Sequence, residues 1–256
     1  MNSITVLLEK IENAKDLDFG DIFNKCIELF KKVWLQGLVM LLLTFVLMLP
    51  FYIIMYLPLI AMGILDPEAL NSYGEGPELA FLIPYYLFIM VFAFFAVIIG
   101  FGLKSAFYRI CKDKDFNKVS KDDYFYFFKK PYLGKTIKLA AITYGIAIVA
   151  TLLCFFPIIY AMVPIALINV IYAANPDLDV SDIVKVGFKL GNKKWLITFG
   201  LMIVAGLLAQ LVGMLMCFIG VLVTASFSYL PLYYVYKDSV GFDESSEIEA
   251  IGSTLE

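Results

Sequence analysis

The stretch from Trp195 to Tyr236 runs for 42 residues without one charged side chain. A hydrocarbon core needs about 20 helical residues to cross, so a single span leaves half of this run unused and two spans fill it. The residues just before it, Asp179 to Lys194, alternate apolar and charged side chains at the spacing of a helix lying on a membrane surface. The unit therefore reads as a surface helix followed by a transmembrane hairpin. Composition extends the reading to the whole chain: 61% of its 256 residues are hydrophobic, against roughly 45–50% in soluble domains.

Three further charge-free runs precede this one. Val33 to Leu65 predicts one long span, tilted or kinked at Pro50 and Pro58, because each proline removes a backbone donor. Leu79 to Leu103 predicts a second span. Leu139 to Ala174, broken near Pro157, is accounted for most economically by a tight hairpin of two short ones. The fold class is then all-α: a polytopic integral membrane bundle of six transmembrane helices at about residues 33–62, 79–103, 137–156, 158–174, 195–213 and 218–236. Residues 1–17 form an N-terminal cytosolic segment and 239–256 an acidic tail, expected to be disordered. Two amphipathic helices are expected to lie at the cytosolic interface. The first, capped by Asp18 or Asp21, is anchored by Phe23, Phe30 and Trp34; the other, capped by Asp179 or Ser181, by Ile183, Phe188 and Trp195. Gly187 and Gly191, four residues apart, permit close packing on a neighbour.

The 20 basic residues test this threading. All fall in the N-terminal 32 residues, in 104–138, in 175–194 or at Lys237, which this topology puts on one side; the opposite loops hold none. By the positive-inside rule that side is the cytosol, with both termini there. The loop from Asp66 to Glu78 carries four acids whose spacing matches no calcium motif, and reads as an ordinary solvated loop. Residues 104–138 combine ten basic residues with the aromatic cluster from Tyr124 to Tyr132. In a chain this apolar, they read as lysines facing anionic headgroups beside an aromatic belt, with no nucleic-acid partner.

Laying residue 18 on residue 179 makes Asp18, Asp21, Ile22, Leu29, Lys32, Trp34 and Leu35 coincide with Asp179, Asp182, Ile183, Leu190, Lys193, Trp195 and Leu196. Three parallel copies of surface helix plus hairpin follow as an expectation. The segment from Leu167 to Asp238, with Gly191-Asn-Lys-Lys-Trp195 entering a span and Leu230-Pro-Leu-Tyr-Tyr-Val-Tyr-Lys-Asp238 closing it, resembles uncharacterised bacterial six-span families. These are similar to the membrane domain of glycerophosphodiester phosphodiesterases. The resemblance implies a bacterial inner membrane. It carries over no catalytic residue, since the soluble barrel and every histidine are missing.

The absence of histidine removes the commonest general base and metal ligand, and no cofactor is expected. Cys26, Cys111, Cys154 and Cys217 lack metal-site spacing and read as free thiols packed as small hydrophobes. The polar groups expected inside the spans are uncharged; Gln210, Asn169, Ser226 and Ser228 are the candidates for a substrate path, Gln210 foremost. A non-catalytic scaffold or accessory subunit is the first expectation, bound to the bilayer and to a membrane protein or a second copy of itself. A transporter or lipid-handling, permease-like protein is the second, and an enzyme the third.

Overall fold

The computed structural model describes residues 3–61, 79–153, 156–216 and 219–242. Among these the chain is helical throughout: α1 (Ile4–Glu12), α2 (Phe19–Ala61), α3 (Leu79–Asp115), a 3-10 turn (Tyr126–Phe128), α4 (Lys130–Leu152), α5 (Phe156–Ala174), α6 (Val180–Lys193), α7 (Trp195–Leu215), α8 (Ile219–Thr224), a second 3-10 segment (Ala225–Tyr229) and α9 (Leu230–Ser239). Five of these helices are long and apolar enough to cross a membrane: stretches Phe19–Leu57, Ile83–Asp115, Lys130–Leu152, Pro157–Ala174 and Trp195–Leu215. The acidic loop from Asp66 to Glu78, Cys154, Cys217 and the tail beyond Phe242 lie outside the described residues.

The first expected interfacial helix and the first span are one helix. Asp18 caps it, its Oδ1 accepting from the Asp21 amide at 2.7 Å. From there α2 runs 43 residues, ~65 Å at 1.5 Å per residue. Nothing between Asn24 and Leu49 interrupts it, since that stretch holds no proline and lysine, glutamate and leucine are all good helix formers. Leu103 likewise does not end α3, which continues to Asp115 because Leu103, Ala106, Phe107, Ile110 and Cys111 keep burying one face at three- and four-residue steps.

In place of one helix over 218–236 there are α8, a 3-10 segment and α9. The break has a local cause. Pro231 cannot donate to the Phe227 carbonyl, and the hydroxyls of Thr224 and Ser228 bond back to the carbonyls of Gly220 and Ala225 at 2.9 and 2.7 Å. The stretch nonetheless pairs antiparallel with α7, where Thr224 also donates to the Ala209 carbonyl at 2.6 Å and a Cβ on Gly213 would fall 2.6 Å from Val221 Cα.

Helix α6 packs on α5 through the two glycines. A Cβ on Gly187 would meet Ile168 at 2.6 Å, and one on Gly191 would meet Pro164 at 2.8 Å. Ile183, Val186 and Leu190 are fully buried on the same side. The N-terminal segment holds a helix that the sequence reading left out: α1, capped by Ser3, buries Leu7 and Ile11 and lies against α6. Lysines clasp it there. Lys189 pairs with Glu12 at 2.7 Å, Lys193 donates to the Glu12 carbonyl, and the buried Lys194 donates to the Lys15 carbonyl at 2.6 Å. The hydrogen bond and charge of Lys189 hold the Glu12 carboxyl below its usual range. A second network joins the ends of α2, α3 and α9. Asp115 accepts from Tyr233 at 2.7 Å and Lys237 at 2.6 Å, while Lys25 bridges Asp21 and Asp238.

Candidate functional site

Between α3, α5, α7 and the 3-10 segment lies a cavity of about 480 Å³. Helix α3 contributes Lys104 and Tyr108, α5 contributes Met162, Ala166 and Asn169, α7 contributes Met202, Ile203, Gly206 and Leu207, and Ser228, Tyr229 and Leu232 close it. Ile203 and Leu207 are exposed and form the open side. Among the described residues the lining is mostly apolar, and apart from the two tyrosines its only ionisable side chain is that of Lys104. The ammonium sits 4.9 Å from the centroid of the Tyr229 ring, an attractive cation–π arrangement.

That this lysine lines a cavity is what sequence reasoning missed. Lys104 is the first charge after an apolar run and was expected in a cytosolic loop. Because α3 continues past it, Lys104 faces the same cavity as Met202 to Leu207, the middle of the 21-residue α7. An ionisable group on the wall of an apolar cavity is a candidate functional position. The signal was present in the sequence: Leu103, Ala106, Phe107, Ile110 and Cys111 extend the helical period beyond the charge.

The polar groups around it are committed in a way that leaves few donors. Tyr108 donates to the Tyr229 carbonyl at 3.1 Å and Ser228 to the Ala225 carbonyl at 2.7 Å. Ser105 donates to Asn169 Oδ1 at 3.3 Å, so the Asn169 amide NH₂ is left for the cavity. Lys104 and Asn169, with the Tyr229 hydroxyl, are therefore the donors on the lining able to hold an oxyanion.

Of the polar candidates read from sequence, Asn169 and Ser228 meet at this cavity. Ser226 does not; it is buried against α2, where a Cβ on Gly37 would fall 2.2 Å from its Oγ. Gln210 does not line this cavity and lies exposed on the outside of α7. Ala205, Ala209 and Gly213 form the buried face of α7, and the helical turn of about 100° per residue puts position 210 outward with Leu207, Leu211 and Met214.

The residues expected to anchor helices in lipid also face protein in several cases. Phe23 and Phe30 both meet Phe227 edge-on, with centroids 5.6 and 5.5 Å apart. Ile183 is fully buried and Phe188 half-buried on α6. Trp195 donates to the Tyr160 carbonyl at 3.0 Å and stacks on Phe199, whereas Trp34 is exposed. Of the aromatic cluster read as an interfacial belt, Phe127 is wholly buried against Tyr172, and Tyr126 lies beneath the Arg109 guanidinium at 3.5 Å.

A second cavity, of about 200 Å³, lies between α2 and α3 around Phe51, Tyr52 and Phe92, and has no charged lining. Cys26 and Cys111 are buried free thiols. Set against protein-family models, curated proteins and solved structures, the chain matches none.

Proposed function

We propose that this chain is a non-catalytic membrane protein that takes a lipid-type amphiphile into the cavity between α3, α5, α7 and α9, a lipid-handling role. One observation carries the reading: a mostly apolar cavity of about 480 Å³, open on one side, is lined by the middle of an apolar 21-residue helix and, from α3, by one lysine. Apolar walls accept a chain, and the buried polar groups fix a head. A water-soluble substrate would find too few polar partners there.

The threading that goes with this role is six crossings with both termini in the cytosol, in a bacterial inner membrane. Ile219 to Ser239 makes the sixth crossing as a bent rod, and its antiparallel pairing with α7 supports that assignment. The three-copy repeat is retained as part of the proposal.

The test is to purify the chain from native membranes in a mild neutral detergent and identify bound lipid by mass spectrometry. Gly206 lines the cavity, and a Cβ there would meet nothing within 4 Å. Gly206→Leu is therefore expected to fill the space without disturbing the fold and to shed the bound lipid. Equal lipid in both proteins would defeat the proposal. The second reading, a scaffold or accessory subunit, is favoured by the ion-paired clasp around α1, α6 and α9; a stoichiometric membrane protein retained with no lipid in the cavity would establish it instead.

A further inference from the structure

We infer that the occupant of the cavity carries a single negative charge, its head oxygen held by the Lys104 ammonium and the Asn169 amide. The inference rests on the lipid-handling reading and adds the charge and head chemistry of the ligand.

Lys25, Lys31, Lys114, Lys129, Lys189, Lys194 and Lys237 each meet a carboxylate. Others, such as Lys32, Lys135 and Lys193, meet amide or carbonyl oxygens. Lys104 is the lysine that lines the cavity. Among the described residues its ammonium has a ring face and no carboxylate, and no acidic side chain lines the cavity. Lys104 is half-buried, and a ring face is a weaker partner for an ammonium than a carboxylate. The cavity wall thus carries one positive charge with no acidic partner among the described residues.

That charge selects its partner by balance. A neutral or zwitterionic amphiphile leaves the ammonium without a net counter-charge, and a dianion leaves a negative charge in the same apolar space; a monoanion leaves neither. The hydrogen-bonding groups agree. Asn169 is nine-tenths buried with its Oδ1 engaged by Ser105, so it offers only donors, and the hydroxyls of Tyr108 and Ser228 are already spent on carbonyls. An oxyanion is the complement of an ammonium and an amide NH₂. Met162, Met202 and Leu207 would then receive the first part of the chain.

Two kinds of molecule share this chemistry, the carboxylate of a free fatty acid and the phosphodiester of an anionic phospholipid. The full-length protein is reconstituted into discs of phosphatidylcholine alone, or mixed equally with oleate, phosphatidylglycerol or phosphatidic acid, and the lipid that stays bound on transfer to neutral detergent is counted. The wild type should retain oleate or phosphatidylglycerol over phosphatidylcholine by about tenfold, the ratio one charge-assisted hydrogen bond supplies, and dianionic phosphatidic acid less well. Whichever of the two is retained names the source.

Lys104→Met should abolish the preference and Lys104→Arg should keep it; Asn169→Leu, read in parallel, should weaken it if the methionine variant does not fold. An unchanged preference in folded Lys104→Met overturns the inference. Retention of phosphatidylcholine as strongly as the anions, still lost in Gly206→Leu, overturns the charge assignment and spares the lipid site. No retained lipid in the wild type ends both.

Discussion

Gly191 shows how closely one position can hold two helices. A Cβ there would fall 2.9 Å from Pro164 Cα and 2.8 Å from its ring, and a proline ring on a helix backbone cannot swing aside. Gly191→Val should therefore force α5 and α6 apart at a cost of about 1–3 kcal/mol, read as a lower unfolding midpoint in detergent. Gly134→Ala, where a Cβ meets nothing within 4 Å, is the control and should not lower it. The Gly187 and Gly191 contact was legible because four-residue spacing of small residues states a close approach outright. Lys104 is harder to read: the charge alone does not say whether its helix continues, and only the apolar period of Leu103, Ala106, Phe107, Ile110 and Cys111 carries the helix past it.

Among the elements, helices and expected spans end at different places for one reason: a charge limits a crossing of the hydrocarbon core but does not interrupt backbone hydrogen bonding. Hence α2 and α3 run on through Lys25 to Lys32 and Lys104 to Lys114, while Thr224, Ser228 and Pro231 divide a stretch that holds no charge. Helix α1 escaped notice because nine residues give a weak period, although Leu7 and Ile11 mark its face. Its clasp responds to acid. The Glu12 pKa is depressed in the folded chain, so its contribution is present above the usual glutamate value of about 4.3 and disappears as pH falls through the lower folded one. Amide exchange of residues 4–12 should quicken at that acidic edge, and in Lys189→Ala it should already be faster at neutral pH. Protection unaffected by either change would mean that Leu7 and Ile11 hold α1 by themselves.

At the scale of the molecule, the helical class and the apolar crossings were readable from 61% hydrophobic composition and the long uncharged runs. The cavity was not, since four separate helices meet there and no local pattern encodes their meeting. The six-crossing proposal has its own check: with the four native cysteines replaced by alanine, Ser3→Cys and Ser245→Cys should both resist an impermeant thiol reagent in intact cells and react once the membrane is opened. Labelling of one end alone would mean an odd number of traverses.

The clasp also imposes an order on biosynthesis. Lys189, Lys193 and Lys194 follow Glu12 by about 180 positions, so the ribosome adds that many residues before α1 meets the helix that covers it. Until then the leading segment waits with Leu7 and Ile11 uncovered, and its docking reports that α6 has been delivered to its place.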